Sequence, residues 1–164
     1  MYYFAYGSNM SIARLKARVK SAVSHGCYVL KKHDLKFHKR SKDGSSKCDA
    51  FFTSNQEDKV YGILFEIDPA HKPLLDKAEG LGFGYSEKQV KVQSNDGARI
   101  LAVTYYATDL VDDLEPYTWY TEHCLIGARE GNVPQEYIEQ KIASIQAVED
   151  PDKQRDIGER SIYN

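Results

Sequence analysis

Three stretches of the chain carry residue types that could hold a small anion or move a proton. Tyr6-Gly7-Ser8-Asn9-Met10 follows the aromatic run of residues 1–6. A loop of this composition between a strand and a helix has free backbone N–H groups, which can hold a carboxylate or an oxyanion. Leu75-Asp76-Lys77-Ala78-Glu79-Gly80 puts Glu79 at the end of a helix that glycine stops. Unsatisfied carbonyls there disfavour an anion, so Glu79 is expected to hold its proton more tightly, as an acid or base working near neutral pH requires. Asp76, three residues earlier, can share that face and add a like charge. The third set is the tyrosines Tyr85, Tyr105, Tyr106, Tyr117 and Tyr120, which can line a polar pocket by presenting hydroxyls from an apolar wall. Each set also has a plain structural explanation: an ordinary strand-to-helix turn, a solvated glutamate, and packing at the edge of a core.

Other candidates are weaker. His25 with Cys27, and His123 with Cys124, lack the CxxC or HxxxH spacing of a zinc site, so no metal is expected. Three cysteines are too few and unevenly spaced for a disulfide framework, and reduced thiols are expected. Cys27 and Cys124 fall in periodic segments and are expected to be buried. Cys48, beside a lysine-rich loop, is expected to be the most open to alkylation. Trp119 reads as a packing residue, and Lys31, Lys32, Lys36, Lys39 and Arg40 read as a solvated strand edge.

These residues need a scaffold, and the composition bounds it. At 164 residues, with 41% hydrophobic, 28% charged and 12% aromatic side chains, the chain suits one globular domain with a real core. A net charge of −2 argues against nucleic acid or anionic lipid as the main partner. No apolar run approaches the roughly 20 residues of a membrane helix, and the first residues lack the pattern of a secretory signal, so a cytoplasmic protein is expected.

The pattern predicts a strand over residues 1–6, then a helix capped by Ser11 with Ile12, Leu15 and Val19 inward. A strand region at 27–38, a surface loop at 39–47 and strands at 50–53 and 60–67 follow. Asp68-Pro69 opens a turn, and a helix from near Pro73 ends at Gly80. Strands at 89–93 and 98–107 flank a hairpin turn at Ser94-Asn95-Asp96-Gly97. Trp119 or Tyr120, Cys124, Gly127 and Ala128 lie at helical spacing, and Pro134 opens a second helix with Tyr137, Ile138, Ile142 and Ile145. The expected architecture is α+β: a mixed, mostly antiparallel β-barrel or strongly curved sheet of about six strands with packed helices. The domain is expected to span 1–149, with 150–164 a charged C-terminal tail or strap.

In order, YFAYGSNM (residues 3–10 with the preceding Tyr2), LDKAEGLGFGY (75–85) and PYTWY with GAREGNVPQEY (116–137) resemble the signatures of the γ-glutamylcyclotransferase family and its AIG2-like relatives. The resemblance covers most of the chain, to about Ile145. It departs from the family pattern at Tyr117, where a serine is common, and at KCDA (47–50), where many members are richer in glycine. The resemblance implies a cofactor-free intramolecular acyl transfer. The α-amine of a γ-glutamyl group attacks its own γ-carbonyl, giving 5-oxoproline and releasing an amino acid or amine. It implies Glu79 as the acid/base, Tyr6, Gly7, Ser8, Asn9 and Met10 as the loop that cradles the glutamyl moiety, and Tyr85, Tyr105 and Tyr120 as orienting residues. Tyr105 is preferred to Tyr106 by segment register. The expected partner is a small γ-glutamyl substrate. Two alternatives remain at this point: a γ-glutamylamine cyclotransferase acting on isopeptide-type linkages, and a non-catalytic relative that binds a small molecule.

Overall fold

The computed structural model describes residues 1–164. The strands are β1 (Tyr2–Ala5), β2 (Val23–Lys31), β3 (His33–Arg40), β4 (Ser46–Phe52), β5 (Lys59–Glu66), β6 (Tyr85–Ser94) and β7 (Arg99–Ala107). The helices are α1 (Ile12–Arg18), α2 (Lys72–Glu79), α3 (Thr118–Glu130), α4 (Gln135–Tyr137), which runs on into a π turn at Ile138–Ala143, and α5 (Lys153–Arg160). No helix is long and apolar enough to cross a membrane.

Five strands close a barrel in the order β1-β5-β2-β6-β7, and β3 pairs with β4 in a separate two-stranded sheet. The expected curved, mostly antiparallel sheet is thus a closed barrel. Its one parallel contact joins β1 to β7 at Tyr3 and Val103. There are seven strands rather than about six, because the region read as one strand turns back at Lys32. That residue takes a left-handed φ of 64° with no glycine to announce it. Phe4, Ile63, Leu64, Phe65 and Leu75 fill the core without measurable exposure beyond 1%.

Local chemistry explains the elements that carry the site. The Ser11 side chain accepts from the Arg14 N–H at 3.4 Å and caps α1. Asp68 caps the 3₁₀ turn Pro69–His71 through the Ala70 N–H, and α2 follows. It ends where Gly80, at φ 74°, turns its N–H back onto the Asp76 and Lys77 carbonyls. Helix α3 buries Trp119, Tyr120, His123, Cys124, Gly127 and Ala128, the spacing of one helical face. Gly127 lets that face press directly on the turn after β1. A Cβ there would lie 2.1 Å from the Ser11 nitrogen and 2.3 Å from the Met10 carbonyl carbon.

Two expectations change at this level. Residues 39–47 were expected to form a surface loop, yet β3 runs to Arg40, β4 starts at Ser46, and Lys39, Ser45 and Ser46 are all buried. Cys48 was expected to be the most reactive thiol. It is 2% exposed and burial pushes its pKa up, whereas Cys27 is the half-buried one, its thiol pushed up to about 11 by burial.

Residues 150–164 lie against α1 and α3. Asp150 is fully buried, accepts from Trp119 Nε1 at 2.8 Å and is gripped by Arg155 at 2.6 Å on each oxygen. Glu159 meets the Arg14 guanidinium and His123, and Tyr163 donates to Ser11 Oγ at 3.0 Å. Burial opposes the charge of Glu159, but its hydrogen bond with His123 and the Arg14 charge hold it at about 2, against an ordinary 4.5. The depressed value means that the ionised form stabilises the fold. This contribution is complete above about pH 4.5 and is lost as the pH falls through about 2. Urea midpoints measured across that window are expected to fall less steeply in Glu159→Gln than in the parent chain. Equal slopes would remove Glu159 from the acid sensitivity.

Candidate active site

A small recess of about 30 Å³ opens where the end of β1, the end of α2, β4, β6, β7 and α3 converge. Its lining is Tyr3, Tyr6, Gly7, Ser8, Asn9, Cys48, Glu79, Tyr85, Tyr105 and Tyr120. Residues far apart in the chain therefore share one small space.

Glu79 is held from two sides. Asn9 Nδ2 donates to its Oε1 at 2.5 Å, and Arg18 lies 3.4 Å from the same oxygen while donating to Asn9 Oδ1 at 3.0 Å. The helix-end carbonyls weighed in the sequence are thus accompanied by a cation and an amide donor that meet the carboxylate directly. Asp76 does not add its charge to the recess. It is paired with Lys72 and accepts from Tyr105 Oη at 2.6 Å, so it anchors a tyrosine of the lining.

The tyrosines divide by what their hydroxyls do. Tyr6 donates to the Tyr105 carbonyl and Tyr85 to the Cys48 carbonyl, both at 2.6 Å, which ties the walls of the recess together. Tyr120 Oη accepts from the Cys48 N–H at 3.0 Å, and Tyr3 Oη accepts from Asn9 Nδ2 at 3.2 Å, so each keeps its own proton to donate. Ser8 is in the same position, since its Oγ accepts from Arg14 Nε at 3.1 Å. Burial raises the pKa of Tyr3, Tyr6, Tyr85, Tyr105 and Tyr120, with nearby acidic groups adding to it, and all five are neutral donors rather than phenolates. Strand alternation puts Tyr105 in the recess while its neighbour Tyr106 faces the other way.

Of the residues that the sequence pointed to, Tyr6, Gly7, Ser8, Asn9, Glu79, Tyr85, Tyr105 and Tyr120 come together. Met10 does not: it is 1% exposed beneath the turn, and its N–H is spent on the Gly7 carbonyl at 3.0 Å. Tyr117 caps the start of α3, and its hydroxyl donates to the Asp43 carbonyl, away from the recess. His25 pairs with Glu66 and His123 with the Arg14–Glu159 pair. Sequence reasoning missed Tyr3 and all the cations around Glu79. Tyr3 is inside the quoted opening motif, and β alternation from the buried Ala5 would have placed it inward. A second, more open chamber of about 120 Å³ adjoins the first, sharing Ser8, Glu79, Tyr85 and Tyr120 and adding Arg14, Arg18, Lys39 and Lys47 among others.

Such a site can take a proton at one carboxylate and meet developing negative charge with neutral donors, the requirements of an acyl transfer. Known proteins agree with this class of chemistry. The AIG2-like family matches residues 59–140. Gamma-glutamylcyclotransferase of Mus musculus is 31% identical over 144 residues, 84% of this chain and 74% of the mouse protein. The Bos taurus gamma-glutamylcyclotransferase is also 31% identical, over 88% of this chain and 78% of its own. A solved structure described as gamma-glutamyl cyclotransferase superposes with a TM-score of 0.84 at 26% identity, covering 98% of both chains. The chain belongs to the γ-glutamylcyclotransferase family, and it is an enzyme of that type.

Proposed function

We propose that the enzyme converts the γ-glutamyl group of a small substrate to 5-oxoproline, releasing the amine or amino acid that was attached to it. The observation that carries this reading is the single carboxylate of Glu79, fixed by Asn9 in a recess otherwise walled by neutral hydroxyl donors.

Closing a five-membered ring is already unimolecular, so the protein's task is to fold the substrate, manage one proton and meet the oxyanion. Glu79 removes a proton from the α-ammonium, whose ordinary pKa is about 7.7 to 8.0. The freed amine nitrogen forms its bond to the γ-carbonyl carbon. Negative charge grows on the carbonyl oxygen, where Tyr120 Oη and Ser8 Oγ have protons to offer. The C–N bond to the leaving group then breaks as the proton held on Glu79 passes to the departing nitrogen, and the second proton of the attacking nitrogen leaves through the freed Glu79 carboxylate to the released amine, which ends as an ammonium. Gly7, Ser8 and Asn9 precede the first hydrogen bond of their turn, so their N–H groups suit the glutamyl moiety.

Incubating the protein with a panel of γ-glutamyl compounds and following 5-oxoproline by mass spectrometry tests this. Stoichiometric 5-oxoproline and free leaving group are expected. Release of glutamate in place of 5-oxoproline would make it a hydrolase.

A further inference from the structure

Lys39 is the one cation of the second chamber that forms no ion pair within the protein. Arg14 is paired with Glu159, Arg18 with Glu79 at 3.4 Å, and Lys47 with Asp43 at 2.7 Å. Lys39 is 8% exposed as a residue, and its ammonium makes neither an ion pair nor a hydrogen bond; the face of the Tyr85 ring lies 4.7 Å from Nζ, and Glu79, Asp109 and Asp43 act on it from farther off. The Lys39 stem is covered, but its ammonium is not sealed in and opens onto the chamber without a bonded partner, where an anion can meet it. The side chain crosses Gly84, where a Cβ would stand 2.8 Å from Lys39 Cε and 3.1 Å from Nζ and would push the end of the lysine aside.

We propose that Lys39 is a specificity residue that reads the leaving group, taking the free carboxylate of an amino acid attached to the γ-glutamyl moiety. The inference rests on the cyclotransferase reading above. In a γ-glutamyl amino acid that carboxylate is one carbon away from the nitrogen that departs. Lys39 and Glu79 line the same chamber, so one group can meet the carboxylate while the other returns the proton to the nitrogen. A simple amine leaving group offers Lys39 nothing. In an isopeptide-type substrate linked through a lysine side chain, the carboxylate is several carbons farther from the scissile bond.

The test compares γ-glutamyl-alanine with γ-glutamyl-alaninamide and Nε-(γ-glutamyl)-lysine, reading 5-oxoproline under steady-state conditions. With the parent enzyme, kcat/KM is expected to be about ten- to a hundredfold higher for the acid than for the amide, chiefly through KM, as for loss of a hydrogen bond to a charged group. K39M should bring the acid down to the level of the amide, closing the ratio between them, and K39R should keep the preference. Equal turnover of acid and amide by the parent enzyme, or a preference for the isopeptide, overturns the assignment without any variant. A preference that survives in folded K39M overturns it as well. If the parent enzyme forms 5-oxoproline from none of the three, the cyclotransferase reading fails and this inference fails with it, a result distinct from turnover without discrimination.

Discussion

Glu79→Gln is expected to lower kcat by about 10² to 10⁴, the usual worth of general acid–base assistance, while changing the melting temperature little. Glutamine matches glutamate in shape, and its carbonyl oxygen can still accept from Asn9 Nδ2, which now bonds to Glu79 Oε1 at 2.5 Å. The Arg18 contact at 3.4 Å loses its charge partner, but it is a partly exposed pair and contributes little to stability. An amide can neither take the ammonium proton nor return one to the leaving nitrogen, so the loss belongs in kcat with ground-state binding largely kept. Rates of 5-oxoproline formation, together with a thermal melt of the variant, check both halves. A kcat near that of the parent enzyme would remove Glu79 from the mechanism.

Blocking the substrate's α-amine is expected to abolish the reaction altogether. An N-acetyl-γ-glutamyl compound carries an amide nitrogen in place of the amine, with negligible basicity and its lone pair delocalised into the acetyl carbonyl. Glu79 would then have no ammonium to deprotonate and the γ-carbonyl no nucleophile. Hydrolysis is not expected to replace cyclisation. Mass spectrometry of the N-acetyl compound after prolonged incubation decides this. Appearance of N-acetylglutamate would mean that water attacks and that the cyclotransferase reading is wrong.

What could be read in advance was local. The Ser11 cap, the Asp68-Pro69 turn, the helix stop at Gly80 and the Ser94–Gly97 hairpin each depend on a few neighbouring residues, and the structure has all four. Glu79 and the Tyr6–Asn9 turn were visible as motifs, and the resemblance to a family joined them. The reversal at Lys32 was not legible because a lysine in a left-handed conformation leaves no compositional mark. The cations were invisible for another reason. Arg14, Arg18, Lys39 and Lys47 look like ordinary solvated charges, and only contacts with residues far along the chain, such as Glu159 for Arg14 and Tyr85 for Lys39, show otherwise. Cys48 was misjudged in the same way: its lysine-rich neighbours suggest solvent, while the turn after β1 and the Tyr120 hydroxyl close over it.

Ser8 is oriented by Arg14, Arg14 is gripped by Glu159, and Ser11, at the foot of the same turn, receives the Tyr163 hydroxyl. The turn proposed to hold the substrate is thus made well before the segments that hold the turn in place. Its strand, β1, finds partners only at residues 63–66 and 103, and the latch on Arg14 waits for residue 159. A nascent chain consequently carries this turn long before the recess around it can form. The recess waits on distant pairings that are slow to form, those that close the barrel and the docking of α5.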